Sequence, residues 1–220
     1  MNKSQFRAVQ IADRIFGLLR IEAGRREKEV AGQIKALLKK FGSKPAFRII
    51  VASGKRSSRP HGFATSKRID RGDLVVIDFG AVYNGYCSDV TRTFVVGKPS
   101  RKQKKAYRIV NEAQKRAIKA IRAGKACFEI DRAARQYIEK QGFGKYFVHS
   151  TGHRIGKRVH EAPKISKNNW RRLRKGMVIT VEPGIYIRGW GGVRIEDMVL
   201  VNQKGGRVLT KATKILNPKS

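Results

Sequence analysis

The sequence predicts an α+β domain made of two similar halves, each with two helices followed by mostly antiparallel strands. Two amphipathic helical patterns open the chain, over about residues 5–20 and 27–41, and strand-like runs follow them. The same order returns with helical patterns over about residues 100–123 and 128–142 and a strand-rich remainder. We therefore expect a pseudo-twofold duplication, with the helices packed outside one curved sheet.

The first two helices are indicated by apolar residues spaced at helical intervals. In the first helix these are Phe6, Val9, Ile11, Ile15, Phe16 and Leu19. In the second helix they are Val30, Ile34, Leu37 and Leu38, and Gly42 is expected to end it.

Strand signals fill the rest of the first half. A strand is expected in AFRIIVASG and a turn-rich loop in SGKRSSRPHG. LVVIDFG is typical of a buried strand, and VYNGYCSDVTRTFVV predicts a hairpin that turns at Asn84-Gly85.

The second half begins with a long helix that has one apolar face. Its apolar residues are Ala106, Ile109, Val110, Ala113, Ala117 and Ile121. FEIDRAARQYIEKQG predicts a shorter helix after it. The strands expected after residue 144 are KYFVHS, GMVITVEP, GIYI, VRIEDMVLVN and RVLTK.

Composition limits the possible classes of protein. No linker divides the 220 residues, so we expect one domain over residues 1–220. No apolar run approaches the roughly 18–20 residues of a membrane span, and charges interrupt the N-terminal apolar stretch, unlike a signal peptide. Two cysteines, Cys87 and Cys127, suggest no disulfide framework, so we expect a cytoplasmic location. Cys87, two residues before Asp89, is expected to be a packed thiol, with a place beside bound metal ions as the alternative.

The charge is strongly unbalanced. Fifty Lys and Arg face sixteen Asp and Glu, giving a formal net charge of +34. Such a field attracts polyanions, so nonspecific nucleic-acid binding is expected. The sequence has no zinc-finger, RRM or KH signature. Adaptation to an unusual ionic setting or deliberate surface supercharging could equally produce the excess of positive charge.

Five residues form a candidate centre for two metal ions: Asp78, Asp89, His153, Glu182 and Glu196. The four carboxylates stand in apolar strand contexts, where unpaired burial is costly, so they need cations nearby. Oxygen ligands with one imidazole suit Mn, Co, Zn or Fe, and two such ions can activate a water. Lys or Arg partners are the alternative source of positive charge.

The remaining histidines add to this centre. His61, His149 and His160 all lie, like His153, in Gly- or Pro-flanked loops and at strand ends. A single histidine is usually a core or surface residue, but four in such positions favour a shared site.

Several segments resemble the pita-bread metallopeptidases, the family of methionine aminopeptidases, Xaa-Pro aminopeptidases and Xaa-Pro dipeptidases (prolidases). The matching strings are VASGKRSSRPHG, DFGAVYNGYCSDVTRTF, HSTGHRIGKRVHEAP, VITVEPGIYI and GGVRIED. SDVTRTF, EPGIYI and GGVRIED are similar to the Xaa-Pro branch. The resemblance implies the pita-bread fold and a short peptide substrate.

The resemblance also implies metal-ligand roles. Asp78 would chelate the second metal, and Asp89 and Glu196 would bridge the two. His153 and Glu182 would complete the first site, with Glu182 as the catalytic acid and base.

Further roles follow from the same resemblance. His61, His149 and His160 would contact substrate and stabilise the tetrahedral intermediate. Arg194 would order the site or bind substrate, while Thr91 and Thr180 would hydrogen-bond the ligands.

The chain departs from the family pattern in three places. The family reads GHGIG where this chain reads GHRIG, and Arg154 with Lys157 and Arg158 could select acidic peptides or belong to the general charge excess. Met198 stands where a second acid is frequent. Xaa-Pro members carry a preceding α/β domain, which we expect to be absent here, leaving substrate length and oligomeric state open, with a dimer as one possibility.

These observations predict a dinuclear metal-dependent exopeptidase that hydrolyses Xaa-Pro bonds. A methionine-type or broad aminopeptidase is one alternative. A basic, catalytically silent relative that binds nucleic acid or ribosomes is another. An engineered sequence with an inflated surface charge would share the chemistry.

Overall fold

The computed structural model describes residues 2–217 and shows the expected duplicated order of helices and strands. The helices are α1 (Lys3–Leu18), α2 (Glu27–Lys40), α3 (Arg101–Ala120) and α4 (Cys127–Lys140), with 3-10 turns at Gly54–Ser58 and Gly144–Tyr146. The first-half strands are β1 (Lys44–Pro45), β2 (Ile50–Ser53), β3 (Leu74–Phe79), β4 (Ala81–Tyr83), β5 (Tyr86–Cys87) and β6 (Val90–Val95). The second-half strands are β7 (Gly152–Arg154), β8 (Glu161–Ile165), β9 (Val178–Val181), β10 (Gly184–Ile187), β11 (Gly191–Arg194), β12 (Asp197–Val201) and β13 (Gly206–Val208).

The strands form four short ladders. Their orders are β1-β4-β5, β2-β3-β6, β10-β11 and β13-β12-β9-β7-β8. Every pairing between these named strands is antiparallel. The predicted α+β class with mostly antiparallel strands is confirmed.

The helices begin and end where local chemistry allows. Asn2 caps α1 by accepting a hydrogen bond from the Ser4 amide at 2.7 Å. Ser100 and Gln103 form a reciprocal capping box at the start of α3. Gly42 follows α2 with a φ of 66°, as its predicted role requires. Phe6, predicted to face inward, is instead 40% exposed.

Two strand predictions need correction. KYFVHS is not a strand, because its carbonyl groups at Phe147 and His149 accept hydrogen bonds from the Arg135 side chain instead of from a ladder. AFRIIVASG becomes a strand only from Ile50.

The turn at Asn84-Gly85 is confirmed, with φ values of 45° and 76° that suit a two-residue hairpin. VRIEDMVLVN, expected as one strand, is divided between β11 and β12, and Glu196 lies in the break. That break matters for the site described below.

The duplication is visible in the hydrogen bonds that hold each half together. The amides of Gly24 and Glu27 donate to the carbonyls of Ile69 and Lys67. Those of Gly124 and Cys127 donate in the same way to the carbonyls of Leu173 and Arg171. Each half therefore fastens the start of its second helix to a following loop by the same pattern.

Each half also has its own hydrophobic core. One core joins α1 and α2 to the β2-β3-β6 ladder through residues such as Ile15, Ile34 and Ile77. The other joins α3 and α4 to the second-half strands through residues such as Val110 and Ile130. No helix within residues 2–217 is long and apolar enough to cross a membrane.

Candidate metal centre

A cavity of about 750 Å³ lies between the strands of the two halves and contains the predicted site. The five candidate ligands line it: Asp78, Asp89, His153, Glu182 and Glu196. The other three histidines, His61, His149 and His160, line it too, as does Arg194. The fold therefore brings every predicted site residue to one place.

The two aspartates reach the cavity from paired strands. Asp78 lies near the end of β3, directly opposite Thr91 of β6. Asp89 immediately precedes β6, and the register of β3 with β6 ends at Phe79 and Val90, beside it. The hairpin at Asn84-Gly85 joins these arms, so the eleven-residue interval places both carboxylates at the same end of the ladder.

The two glutamates lie where the chain passes from one ladder to another. Val181 of β9 pairs with Asp197 of β12, and Gly184 of β10 pairs with Arg194 of β11. Glu182 and Glu196 occupy the short breaks between these two sets of pairs. Their side chains consequently meet at one point from neighbouring segments.

His153 completes the cluster from the short strand β7. Its Nε2 lies 3.4 Å from Glu182 Oε1 and 3.7 Å from Asp89 Oδ2. Ligand atoms of Asp89, His153 and Glu196 all lie within 4.8 Å of one another, and all three residues are buried. His153 Nδ1 faces the Arg154 carbonyl at 3.0 Å, which leaves Nε2 directed at the carboxylates.

Threonine hydroxyls orient two of the carboxylates, as the sequence suggested. Thr91 Oγ1 donates to Glu196 Oε2 at 2.7 Å. Thr180 Oγ1 donates to Glu182 Oε1 at 3.3 Å and accepts the His153 amide at 3.1 Å. These contacts fix the direction of the ligands before any ion binds.

The carboxylates raise one another's pKa values. Burial, then the nearby charges of Glu196 and Asp78, raises the pKa of Asp89 well above its ordinary value. Burial and the charges of Glu182 and Asp78 do the same to the pKa of Glu196. Burial also raises the pKa of Glu182. Burial lowers the pKa of His153, so its imidazole is favoured as the neutral form that ligates metals.

Among residues 2–217, only one Lys or Arg pairs with the four acids of the cluster. Arg194 is buried and its Nη2 pairs with Asp78 Oδ2 at 2.7 Å. Two buried carboxylate oxygens, Asp78 Oδ1 and Glu196 Oε1, have no hydrogen-bond partner among the described residues. Buried, unpaired carboxylate oxygens are costly, so this donor set fits divalent cations.

The three remaining histidines differ in what they offer a ligand. His61 and His160 are exposed at the cavity, and the His160 ring lies 4.4 Å from that of His153. His149 contacts the Ser150 carbonyl through Nδ1 and the Tyr186 hydroxyl through Nε2, each at 2.8 Å. Both nitrogens of His149 are therefore engaged by protein groups.

Tyr186 was not predicted from the sequence, yet it links two site residues. Arg194 Nη1 donates to its hydroxyl at 2.7 Å. Burial lowers the pKa of His149, and the neutral ring must carry its proton on Nδ1 because the Ser150 carbonyl can only accept, so the Tyr186 hydroxyl donates to His149 Nε2. Burial raises the pKa of Tyr186 to about 12, which keeps this proton in place. Its position in EPGIYI, two residues along a strand from Gly184, was the only available signal.

A family model and several known proteins match this chain. The model for metallopeptidase family M24 matches residues 3–203. The chain belongs to metallopeptidase family M24. It is 52% identical over 213 residues to the Xaa-Pro dipeptidase of Pyrococcus furiosus, covering 96% of this chain and 61% of that protein.

Solved structures of M24 relatives share the architecture. The Xaa-Pro dipeptidase from Bacillus anthracis has a TM-score of 0.96 at 49% identity, covering 98% of this chain and 61% of that one. The X-Pro aminopeptidase from Thermotoga maritima has a TM-score of 0.95 at 43% identity, covering 98% and 62%. The predicted pita-bread fold is confirmed, and the chain spans about three fifths of the length of these relatives.

The basic residues that depart from the family pattern lie away from the cavity lining. Arg154 Nε pairs with Glu161 Oε2 at 3.4 Å, and neither Lys157 nor Arg158 lines the cavity described above. Besides Arg194, the Lys and Arg residues that line the cavity are Arg48 and Lys164, to which no sequence signal pointed. Cys87 is buried outside the cavity, beside the Lys157 carbonyl.

Proposed function

We propose that this M24 protein is a dinuclear metal-dependent exopeptidase that hydrolyses Xaa-Pro bonds of short peptides. The observation that carries the proposal is the buried cluster of Asp89, His153 and Glu196, with Asp78 and Glu182 lining the same cavity. The Xaa-Pro names of relatives that are 52% and 49% identical over the matched part of their chains support the substrate class.

The five residues would hold the ions, with Asp89 and Glu196 as the bridging carboxylates. Bound divalent ions supply Lewis-acid polarisation of the scissile carbonyl and lower the pKa of a water. Manganese, cobalt, zinc and iron all suit the donor set.

The protein's own groups handle the protons and the peptide. Glu182 lines the cavity beside His153 and is the carboxylate that would accept the proton of the attacking water and pass it to the leaving nitrogen. His61 and His160 are the exposed imidazoles able to donate to the oxyanion or to the peptide.

Arg194 and His149 have a positioning role in this proposal. Arg194 holds Asp78 and Tyr186, and Tyr186 in turn holds His149. Contact of either residue with substrate would replace one of these hydrogen bonds.

We also propose one catalytic domain over residues 1–220 and a cytoplasmic location. Two free cysteines, both buried, support a reducing compartment. The possible dimer stays a prediction.

The test is hydrolysis by metal-stripped protein with Mn, Co or Zn restored. The substrates are a Xaa-Pro dipeptide, a Xaa-Pro-containing tripeptide and a Met-Ala tripeptide. We expect metal-restored cleavage of the Xaa-Pro peptides, reduced at least about a hundredfold by Glu182→Gln. The exposed Glu22→Gln provides a charge-matched control that keeps full activity.

Preferred cleavage of the Met-Ala peptide would move the protein to the methionine-type alternative. Failure of a folded, metal-loaded protein to cleave any of the three would refute the peptidase proposal.

A further inference from the structure

A surface patch outside the cavity combines two aromatic rings in contact with each other and several cations. Trp170 is 73% exposed, more than any other exposed large hydrophobic residue within residues 2–217. Its ring lies 4.1 Å from that of Phe128 at an interplanar angle of 47°. We define the Trp170 patch as Phe128, Arg132, Trp170, Arg171 and Arg172.

The loop that carries Trp170 is strongly basic. The segment from Lys164 to Lys175 contains six Lys and Arg and no Asp or Glu. The Arg132 guanidinium lies 5.5 Å from the centre of the Phe128 ring, and Arg132 is exposed. Glu129, on the same helix, is already paired with Lys125 at 2.5 Å. Arg172 Nη1 donates to the Gly124 carbonyl at 2.8 Å. The exposed guanidinium groups of Arg132 and Arg171 have no hydrogen bond or ion pair among the described residues, so these two are available to an external anion.

The patch is held rigidly on the fold. The Phe128 amide donates to the Asn169 carbonyl at 2.8 Å, and the Cys127 amide donates to the Arg171 carbonyl at 2.9 Å. Leu173, three residues after the tryptophan, is buried in the second-half core. A ligand that binds Trp170 therefore does not have to order the loop first.

The internal duplication shows that the scaffold does not require the aromatic pair. The first half makes the equivalent bond from the Lys28 amide to the Thr65 carbonyl. By this correspondence Lys28 stands in the place of Phe128, and Ser66 in the place of Trp170. Both first-half residues are exposed and polar. Because the fold tolerates a polar pair here, folding alone does not account for the aromatic pair.

We propose that the Trp170 patch binds single-stranded nucleic acid. An unstacked base would lie on the exposed face of Trp170, while the arginines of the patch contact the flanking phosphates. The patch shares no residue with the metal centre, so this inference is independent of the proposed peptidase function. It also assigns a specific place to an attraction that net charge alone would spread over the whole surface.

The first test measures binding of a labelled single-stranded RNA of about 12 nucleotides, within the usual site sizes, by fluorescence anisotropy at several salt concentrations. Trp170→Ala leaves the charge unchanged. We expect it to weaken binding about fivefold to a hundredfold, the effect of losing one stacked base. The slope of affinity against salt should stay the same because the phosphate contacts remain. Single-stranded DNA of the same sequence should respond alike.

Two further variants separate stacking from charge. Trp170→Phe retains an aromatic face and should recover most of the affinity. Arg171→Gln should instead reduce the salt slope by about one.

A direct readout uses the two tryptophans of the chain, Trp170 and Trp190. In the full chain with Trp190→Phe, RNA should quench the emission of Trp170. In Trp170→Phe, the emission of the partly buried Trp190 should not change. Unaltered circular dichroism and an unaltered temperature of thermal unfolding would show that each variant is folded.

Equal RNA affinity of Trp170→Ala and the unsubstituted protein at every salt concentration would overturn the proposal. An unquenched Trp170 would do the same, because the binding would then report only the net charge. Duplex RNA and phosphatidylserine vesicles present no unstacked base. If Trp170→Ala weakened binding to either of them as much as it weakened binding to single-stranded RNA, the proposal would also be overturned.

Discussion

Thr91 is a single side chain that connects the metal cluster to its counter-charge. Its hydroxyl donates to Glu196 and accepts a hydrogen bond from Arg194 Nε at 3.0 Å. Arg194 extends the network to Asp78. One hydroxyl therefore sets the orientation of a proposed bridging ligand and of the only arginine paired with the cluster among the described residues.

Thr91→Val keeps the shape of this side chain and removes both hydrogen bonds. We expect metal affinity to fall about 10–100-fold, as for other partners that orient metal ligands. Titration calorimetry with Mn measures the change, and Thr91→Ser is the control that restores the hydroxyl. Equal metal affinity in the valine and serine variants would contradict the proposed orienting role.

A second buried ion pair stabilises the segment that carries Glu196. Arg92 and Asp197 are 1% and 0% exposed and meet at 2.8 Å. Arg92 also donates to the backbone carbonyls of Glu196 and Ala212. The guanidinium thus holds both the segment that carries Glu196 and the C-terminal segment.

Arg92→Met leaves Asp197 without its main buried partner. The free energy of unfolding should fall by about 3–5 kcal/mol, the usual cost of breaking a buried pair. Denaturant unfolding measures it. Removing the exposed pair with Glu112 by Arg116→Ala should cost less than about 1 kcal/mol. If Arg92→Met and Arg116→Ala lowered the free energy of unfolding by similar amounts, burial would not determine how much an ion pair contributes to stability.

At the scale of elements, the breaks between strands place the glutamates. Periodicity predicted all four helices, because each has one apolar face and a recognisable end. It joined β11 and β12 into one strand, since six of the ten residues in VRIEDMVLVN are apolar and no Gly or Pro interrupts the run. The break at Glu196 arises from tertiary pairing of β11 with β10 and of β12 with β9, which local sequence does not encode.

Gly152 shows why close approach between strands matters beside a ligand. A Cβ there would lie 2.0 Å from the Thr180 carbonyl oxygen, which is backbone and cannot move aside. We predict that Gly152→Ala displaces β7 together with His153, lowering both stability and metal affinity.

The control is Gly32 within α2, where an added Cβ meets nothing within 4 Å. Gly32→Ala should stabilise the protein by roughly 0.5–1 kcal/mol through helix propensity. Thermal unfolding and metal titration of both variants test the pair. If Gly152→Ala changed neither stability nor metal affinity, β7 would not be constrained by its close contact with Thr180.

At the scale of the whole molecule, the basic surface surrounds a buried acidic cluster. The residue types and their order predicted which side chains would line one cavity. They did not reveal Tyr186 or the free carboxylate oxygens, because these depend on distances between remote segments. The charge of +34 predicted polyanion attraction, but only the fold displays Trp170 beside the arginines.

The raised pKa values of Asp89, Glu182 and Glu196 predict how stability depends on pH. Between the ordinary pKa values, 3.8 for Asp and 4.5 for Glu, and the raised ones, the folded protein binds more protons than the unfolded chain. Metal-free protein should therefore lose stability as pH rises through that window. Added divalent ions should stabilise it more as pH rises, because they bind the deprotonated ligands.

Denaturant unfolding in EDTA at acidic and at neutral pH measures this effect. The double variant Asp89→Asn, Glu196→Gln removes two of the titrating groups. Its free energy of unfolding should therefore rise relative to that of the unsubstituted protein as the pH increases. If the free energies of unfolding of the two proteins differed by the same amount at every pH, the predicted mutual repulsion of the carboxylates would be contradicted.

The number of metal ions bound per chain tests whether the five ligands form a dinuclear centre. Metal-stripped protein is dialysed to equilibrium against Mn, and bound metal is counted by elemental analysis beside Glu196→Gln and Glu22→Gln. The arrangement of the five ligands predicts two ions per chain in the unsubstituted protein and in Glu22→Gln, and fewer in Glu196→Gln. A folded protein that binds no ions, or whose Glu196→Gln variant binds as many, would contradict it.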